Sequence, residues 1–413
     1  MMIHPKMRFT YVGIDSHKQT HTAVLLDCFF DRCGEITFKN LPSAYEAFLR
    51  EAESLKVEGT ELLFGLEDAT SFGRTLAVFL EGKGKQVRHV NSYLVARERK
   101  NLNITQKTDT IDAECAARVL LSRSGELPVP GLEDRYWILR TLVVRRDHVV
   151  SSNTRSKMLL HSLLTQHYPN YRQFFGALDG KTSLAFYKTY PSPSCLEGVS
   201  LEELTTLIAE RSSDYYGEEK AIEIRSSLED TTASFQEIRD EMVRSTICQI
   251  EFNLKEMERL ELIMATYLEN FRCTLTTMAG IDVVSACQIL SCIGDIKRFS
   301  TPAKLARYAG VAPITYSSGQ KDLQFANSRG NRELNSLFYN LAVRVSTPHG
   351  PNKKLINGFF YDYYQRKRSE GKTKRQALKC VQRRLVNIIW CMLTHAEEYV
   401  NPPLLDEPPK KGR

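Results

Sequence analysis

Asp15, Glu67, Asp109 and Asp112 stand where a cluster of carboxylates could form. Asp15 closes one apolar, β-branched run (FTYVGID, 9–15) and Glu67 closes another (ELLFGLE, 61–67). Asp109 and Asp112 are three residues apart at the start of a helical stretch, which puts them on one helical face. Strand ends in an α/β sheet are where ligands collect. If the strands are neighbours, four carboxylates meet at one point, repel one another and demand cations. Hard oxygen ligands without His or Cys select Mg²⁺, with Mn²⁺ as the substitute. Two such ions can clamp the attacking and leaving oxygens of a phosphodiester. Each acid taken singly also has an ordinary structural use, as a turn residue or as a complement to a helix dipole. It is the four together, in strand–strand–helix order, that carry the metal reading. Asp68 follows Glu67 directly, and spacing alone leaves open which of the two points inward.

The elements that must position these acids are legible over residues 8–130, which alternate strands and helices. FTYVGID and HTAVLLD (21–27) flank a polar SHKQT turn in a hairpin pattern. KQVRHV (85–90) makes a further strand after a helix stopped by glycines. TDTIDAECAARVLLSR (108–123) is a helix that Thr108 can cap. Pro128 and Pro130 close the unit. Residues 133–168 are helical, and 219–272 predict one long helix whose seam runs through Phe235, Ile238, Met242, Ile247, Ile250, Leu254, Met257, Leu260, Met264 and Leu268, with one break after Met242. Those alternating steps of three and four predict a coiled-coil stalk, either between subunits or as a hairpin within the chain. A Tyr/Ser/Pro-bearing stretch, 169–218, reads as a tip or small insertion.

Residues 273–400 predict a compact helical unit with a loop or short hairpin at 311–322, helices over 299–310 and 327–345, and a last helix over 372–400 that turns Leu378, Val381, Leu385, Ile388 and Met392 to one face. The tail 401–413 is Pro-rich and reads as disordered. The fold expected is an α/β N-terminal domain (1–130), a helical coiled-coil middle (131–272) and a small, mainly α C-terminal domain (273–400).

Of the 413 residues, 42% are hydrophobic and 25% charged, which excludes a disordered or fibrous chain. No apolar run approaches a membrane span and no signal-peptide order opens the chain, so a cytoplasmic protein is expected. The ten cysteines form no CxxC pair and read as free thiols. The net charge of +7 hides an asymmetry. Residues 297–413 hold 22 Lys+Arg against 8 Asp+Glu, while the remainder is mildly acidic. A basic C-terminal third points to a polyanion such as nucleic acid.

Several motifs are recognisable. YVGIDSHK, GLEDATSFG and KTDTIDAE resemble, in order and spacing, the RuvC-like DEDD domain of a family of bacterial insertion-sequence transposases. GIDVVSACQILSCIGDIKRFSTPAKLARYAGVAPITYSSGQ, followed by SRGNREL, resembles the C-terminal transposase domain of the same family, the bridge-RNA-guided serine recombinases. The resemblance implies an RNase H/RuvC-like N-terminal fold and four metal-binding acids at Asp15, Glu67, Asp109 and Asp112. It favours Glu67 over Asp68 through the aromatic-Gly pair Phe72-Gly73, although Ala69-Thr70 stands where Thr-Gly is usual. It also implies a nucleophilic serine directly before a Gly, here Ser318, with Ser317 as the fallback.

The implied activity is cutting and rejoining DNA through a phosphoserine intermediate with Mg²⁺ assistance. The implied partners are donor and target double-stranded DNA, a non-coding guide RNA and further copies of the chain, in a nucleoid-associated bacterial setting. A serine hydroxyl needs activation, and no His-Asp pair adjoins Ser318 in sequence, so the acidic cluster is the expected source. Arg329, Asn331 and Arg332 are candidate nucleic-acid contacts. GIDVVSA resembles a helix-hairpin-helix turn, in which a helix start holds a phosphate, with Asp282 in place of its second Gly. Two other readings compete: a metal-only structure-specific nuclease, and a non-catalytic DNA-binding regulator.

Overall fold

A computed structural model describes residues 4–69, 71–130, 134–229, 231, 234–318, 321–325, 327, 330–350 and 353–400. The chain forms two compact units. One comprises Met1–Ile138, Leu290–Ala342 and Lys367–His395; the other comprises Leu139–Ile289 and Val343–Arg366 with the segment from Ala396.

The first unit is built on β1 (Phe9–Ser16), β2 (Thr20–Leu26), β3 (Arg32–Lys39), α1 (Pro42–Leu55), β4 (Glu61–Leu66), α2 (Arg74–Gly82), β5 (Gln86–His89), α3 (Ser92–Asn101) and α4 (Asp109–Arg123). The sheet order is β3-β2-β1-β4-β5. β1 pairs antiparallel with β2 and parallel with β4, so a hairpin and a crossover both start from the central strand. Side chains alternate along β1. Val12 and Ile14 face the core shared with Phe48, Phe64 and Leu76, and Tyr11 faces the core shared with Leu63, Cys115 and Leu120. The odd-numbered positions of β1 therefore face α4, and that parity carries Asp15 to the same side. β3 went unforeseen in the sequence because it is an edge strand whose single fully buried side chain is Ile36.

Gly13 lets α4 lie directly on β1. A Cβ there would stand 2.2 Å from both the Ala113 carbonyl oxygen and the Ala117 nitrogen. Ala113 and Ala117 pack with Val24 and Leu26 beneath that crossing. Thr108 caps α4, its Oγ1 accepting from Ile111 N at 3.2 Å, and so fixes where Asp109 and Asp112 begin.

In the second unit, α5 (Asp134–His167) is followed by α6 (Tyr171–Phe174), α7 (Lys181–Thr189), α8 (Leu201–Ser212), α9 (Glu218–Ser226) and α10 (Gln236–Leu268). α5 and α10 return on each other within the chain. Arg146 bonds Glu261 at 2.6 Å near one end of the pair, and Arg239 bonds Gln166 at 3.2 Å near the other. The stretch between them is helical and has its own aromatic core of Tyr168, Phe174, Phe186 and Tyr187, against which Val243 and Ile247 pack. The single helix expected over 219–272 is two helices. Phe235, at φ +61, precedes α10. The first three seam positions, Phe235, Ile238 and Met242, are exposed; the buried stripe starts at Val243 and then follows the expected seam through Ile247, Ile250, Leu260, Met264 and Leu268. The break in spacing after Met242 is where the buried face begins.

The remaining elements are α11 (Val283–Ile293), α12 (Pro302–Tyr308), β6 (Ile314–Ser318), β7 (Lys321–Phe325), α13 (Arg332–Ser346), α14 (Gly358–Ser369) and α15 (Lys374–His395). β6 and β7 form an antiparallel hairpin. α15 is tied to the α12 region by Trp390 Nε1 donating to the Phe299 carbonyl at 2.8 Å and Lys379 Nζ donating to the Gly310 carbonyl at 3.3 Å. Its inward face runs through Ala377, Val381, Leu385 and Ile389; Leu378 and Ile388, expected on that face, are only half-buried. Among the described residues no helix is long and apolar enough to cross a membrane. All ten cysteines are free.

Candidate metal centre

The centre is built at the carboxyl ends of β1 and β4. Glu67 N donates to the Ile14 carbonyl at 3.1 Å, continuing the parallel ladder one residue past β4 and drawing Glu67 alongside Asp15. Asn40, just past β3, ties two of the surrounding loops together. Its Nδ2 donates to the His17 carbonyl at 3.2 Å and to the Phe72 carbonyl at 3.0 Å. Asp15 is 7% exposed. Burial raises its pKa above the ordinary carboxylate range; His17 pulls the other way, and the charges of Asp109 and Asp112 add to the rise. Glu67 is raised too, by burial first and then by the Asp15 charge; the Ser92 hydroxyl opposes this and Asp112 adds to it. Asp109 and Asp112 thus act on Asp15, and Asp15 and Asp112 act on Glu67.

Neighbouring cations and donors partly offset that repulsion. Arg99 of α3 forms an ion pair with Asp112, and Lys107 Nζ stands 3.9 Å from the other Asp112 oxygen. His17 Nε2 lies 3.1 Å from Asp15 Oδ2 and 3.3 Å from Asp109 Oδ1. Glu67 Oε2 is buried and has no hydrogen-bond partner. A buried orphan oxygen beside an acid of raised pKa is a donor set short of positive charge, and it fits a hard divalent cation.

The adjacent Asp68 is occupied differently. Its Oδ1 accepts from Ser71 N and its Oδ2 from Phe72 N, both at 3.1 Å, so this carboxylate folds the turn after β4. His17, which an all-oxygen ligand set leaves out, is the further side chain at this centre. It lies one residue past β1, and the turn bond from its N to the Thr20 carbonyl, which spacing does not reveal, sets it beside Asp15. Nothing in the sequence marks Arg99 as the partner of Asp112.

The serine-bearing segment lies in the same compact unit as the acids. Ser318 ends β6, and its backbone pairs with Lys321. The side chains of Ser317 and Ser318, and the whole of Arg329, lie outside the described residues. Asn331 is engaged within the fold: its Oδ1 accepts from Leu334 N at 2.9 Å, capping α13, and its Nδ2 donates to the Tyr308 hydroxyl at 3.2 Å. Arg332 is exposed. At the GIDVVSA turn, Asp282 Oδ1 accepts from Ser285 N at 2.7 Å and its Oδ2 bonds Arg344 at 3.1 Å. The carboxylate that replaces the second Gly therefore takes the helix start where a phosphate would sit.

Comparison with known proteins gives two family matches in chain order. Residues 12–169 match the DEDD transposase domain of IS110, and residues 273–355 match the transposase domain of the IS116/IS110/IS902 family. The "Insertion element IS116 uncharacterized 44.8 kDa protein" of Streptomyces clavuligerus is 25% identical over 95% of this chain and 96% of its own length. The "Insertion element IS110 uncharacterized 43.6 kDa protein" of Streptomyces coelicolor is 25% identical over 87% of this chain and 89% of its own. The "Pilin gene-inverting protein" of Moraxella lacunata is 24% identical over 94% of this chain and 96% of its own.

Proposed function

We propose that this chain, which carries both transposase domains of the IS110/IS116/IS902 family, is the DNA recombinase of an insertion sequence and works through a serine nucleophile. The reading is supported by the proximity of Asp15 and Asp109 and by the charge of Asp112 acting on both Asp15 and Glu67, in a domain of this family. Ser318 Oγ bonds to a DNA phosphorus as a deoxyribose oxygen leaves. The resulting phosphoserine ester conserves the phosphodiester energy, so strands are exchanged and rejoined without ATP. Mg²⁺ or Mn²⁺, held by the four acids, supplies Lewis acidity and offsets the charge that develops on the phosphoryl group. Asp15 and Glu67 keep their carboxylates out of water, and Asp68 fixes the turn beside them.

On this reading residues 1–130 are the metal domain, 131–272 a stalk and 273–400 the serine domain, with Arg329 and Arg332 contacting nucleic acid. A structured non-coding RNA pairs with donor and target DNA while the protein reads shape and backbone. Copies of the chain assemble so that two strands are cut together, in the bacterial nucleoid.

Covalent trapping tests the chemistry. Purified protein is mixed with RNA transcribed from the element's flanks, labelled element-end and target DNA, and Mg²⁺, then run on a denaturing gel. A label that migrates with protein, is lost in Ser318→Ala and is kept in Ser317→Ala is the expected result. Free nicked DNA without an adduct, in wild type and Ser318→Ala alike, would instead make the protein a metal-only nuclease.

A further inference from the structure

We propose that His17 is a nitrogen ligand of the same metal centre, and that it shifts the ion preference from Mg²⁺ toward Mn²⁺. This inference rests on the metal reading above and deepens it. One donor atom each from Asp15, His17 and Asp109 lies within 4.8 Å of the others. His17 Nε2 stands 3.1 Å from Asp15 and 3.3 Å from Asp109, hydrogen-bond and ion-pair distances that neighbouring ligands in one coordination shell also keep. Metal–ligand bonds of roughly 2.1–2.3 Å at right angles place adjacent donors about 3.0–3.2 Å apart. The ring therefore already stands at ligand spacing from both acids.

Backbone hydrogen bonds hold His17 at this place. Its N donates to the Thr20 carbonyl at 3.1 Å, and its carbonyl accepts from Asn40 at 3.2 Å. Asp112 is the acid that arrives already paired, with Arg99 and Lys107 beside it. Asp15, Asp109 and His17 Nε2 are the donors that stand within reach of one ion. Carboxylates suit both ions, but Mg²⁺ demands a near-ideal octahedral shell and gives up its waters reluctantly, so a nitrogen donor costs it more than it costs the larger, softer Mn²⁺. A mixed set with one nitrogen thus holds Mn²⁺ in preference to Mg²⁺.

Pulsed electron paramagnetic resonance of the untagged full-length chain loaded with Mn²⁺ tests this directly. Wild type should show a ¹⁴N coupling to the ion that disappears in His17→Ala. In His17→Asp, Mn²⁺ should bind without nitrogen coupling. Competition between Mn²⁺ and Mg²⁺, followed by the Mn²⁺ signal, should show the preference for Mn²⁺ falling about tenfold in both variants. Circular dichroism checks that each variant is folded. Stoichiometric Mn²⁺ in wild type without ¹⁴N coupling, or a coupling that persists in His17→Ala, would overturn the role of His17 and leave the four-acid site standing. Wild type that retains no more Mn²⁺ than Asp15→Asn would overturn the metal reading itself.

Discussion

Asp15 is a carboxylate that the fold holds in an unfavourable place, among like charges and out of water. A carboxyl whose pKa is raised on folding binds its proton more tightly folded than unfolded. In chelator, its contribution therefore weakens the fold as pH rises through and above the carboxylate range, and this penalty is relieved as pH falls. Asp15→Asn keeps the shape and removes the charge. We expect it to melt higher than wild type in chelator at neutral pH, by about 1 °C for each kcal/mol recovered in a chain of 413 residues. The gap should close as pH is lowered into the carboxylate range. Adding Mn²⁺ should raise the melting temperature of wild type and leave the variant unmoved; a wild type that melts higher than Asp15→Asn in chelator would contradict the argument. Glu67 and Asp68 should separate in the same assay. Glu67→Gln should lose Mn²⁺ stabilisation and, because the Glu67 carboxyl is raised by the same burial and like charge, also melt higher than wild type in chelator. Asp68→Ala should cost roughly 0.5–2 kcal/mol, the scale of a lost cap, and keep its Mn²⁺ response. Equal Mn²⁺ responses in the two would undo the distinction drawn between them. The sequence offered both carboxylates at adjacent positions, and only the hydrogen bonds from Ser71 and Phe72 to Asp68 tell them apart.

The elements that carry the acids were readable where local signals and burial agree. β1 and β2 show apolar, β-branched runs, and α4 shows a cap followed by Ala and Leu, because these segments are buried along most of their length. β3 and the break between α9 and α10 were not readable. An edge strand needs few apolar residues, and spacing alone cannot say which stripe of a long helix is covered. Phe235, Ile238 and Met242 are apolar and correctly spaced, yet exposed, because the aromatic core of the intervening helices packs on Val243 and Ile247. The contact that sets the centre's geometry is likewise tertiary. Gly13 says nothing in sequence about α4, but a side chain there would push against the Ala113 and Ala117 backbone. Gly13→Ala should therefore move α4 off β1 and carry Asp109 and Asp112 away from Asp15. The expected outcome is a loss of about 3 kcal/mol or more, larger than a typical overpacking cost because the obstacle is backbone. Mn²⁺ affinity should fall even in conditions where the variant stays folded by circular dichroism. Unchanged stability together with unchanged Mn²⁺ binding would mean that α4 is not seated by this glycine.

At the scale of the whole molecule, charge is divided along the chain. The positive excess lies in residues 297–413, while the acidic centre is built from residues near the N-terminus. An acidic centre repels a polyanion, so the recombinase proposed above needs basic surface elsewhere to hold DNA against that repulsion. α12 exposes Lys304 and Arg307 on one helical face, and the start of α15 exposes Lys374 and Arg375. Binding through such groups releases counterions, and log Kobs then falls linearly with log salt, with a slope of about −0.9 per phosphate neutralised on duplex DNA. Replacing Lys304 and Arg307 by Gln should weaken binding to unrelated duplexes and to element ends by the same factor. It should also make the slope shallower by about 1.8, since backbone contacts position the protein without reading bases. Fluorescence anisotropy on labelled duplexes across a salt series measures both quantities. A slope that stays at the wild-type value would remove α12 from the DNA-binding surface. A loss confined to element ends would instead make these residues readers of sequence, as an arginine bidentate to guanine is.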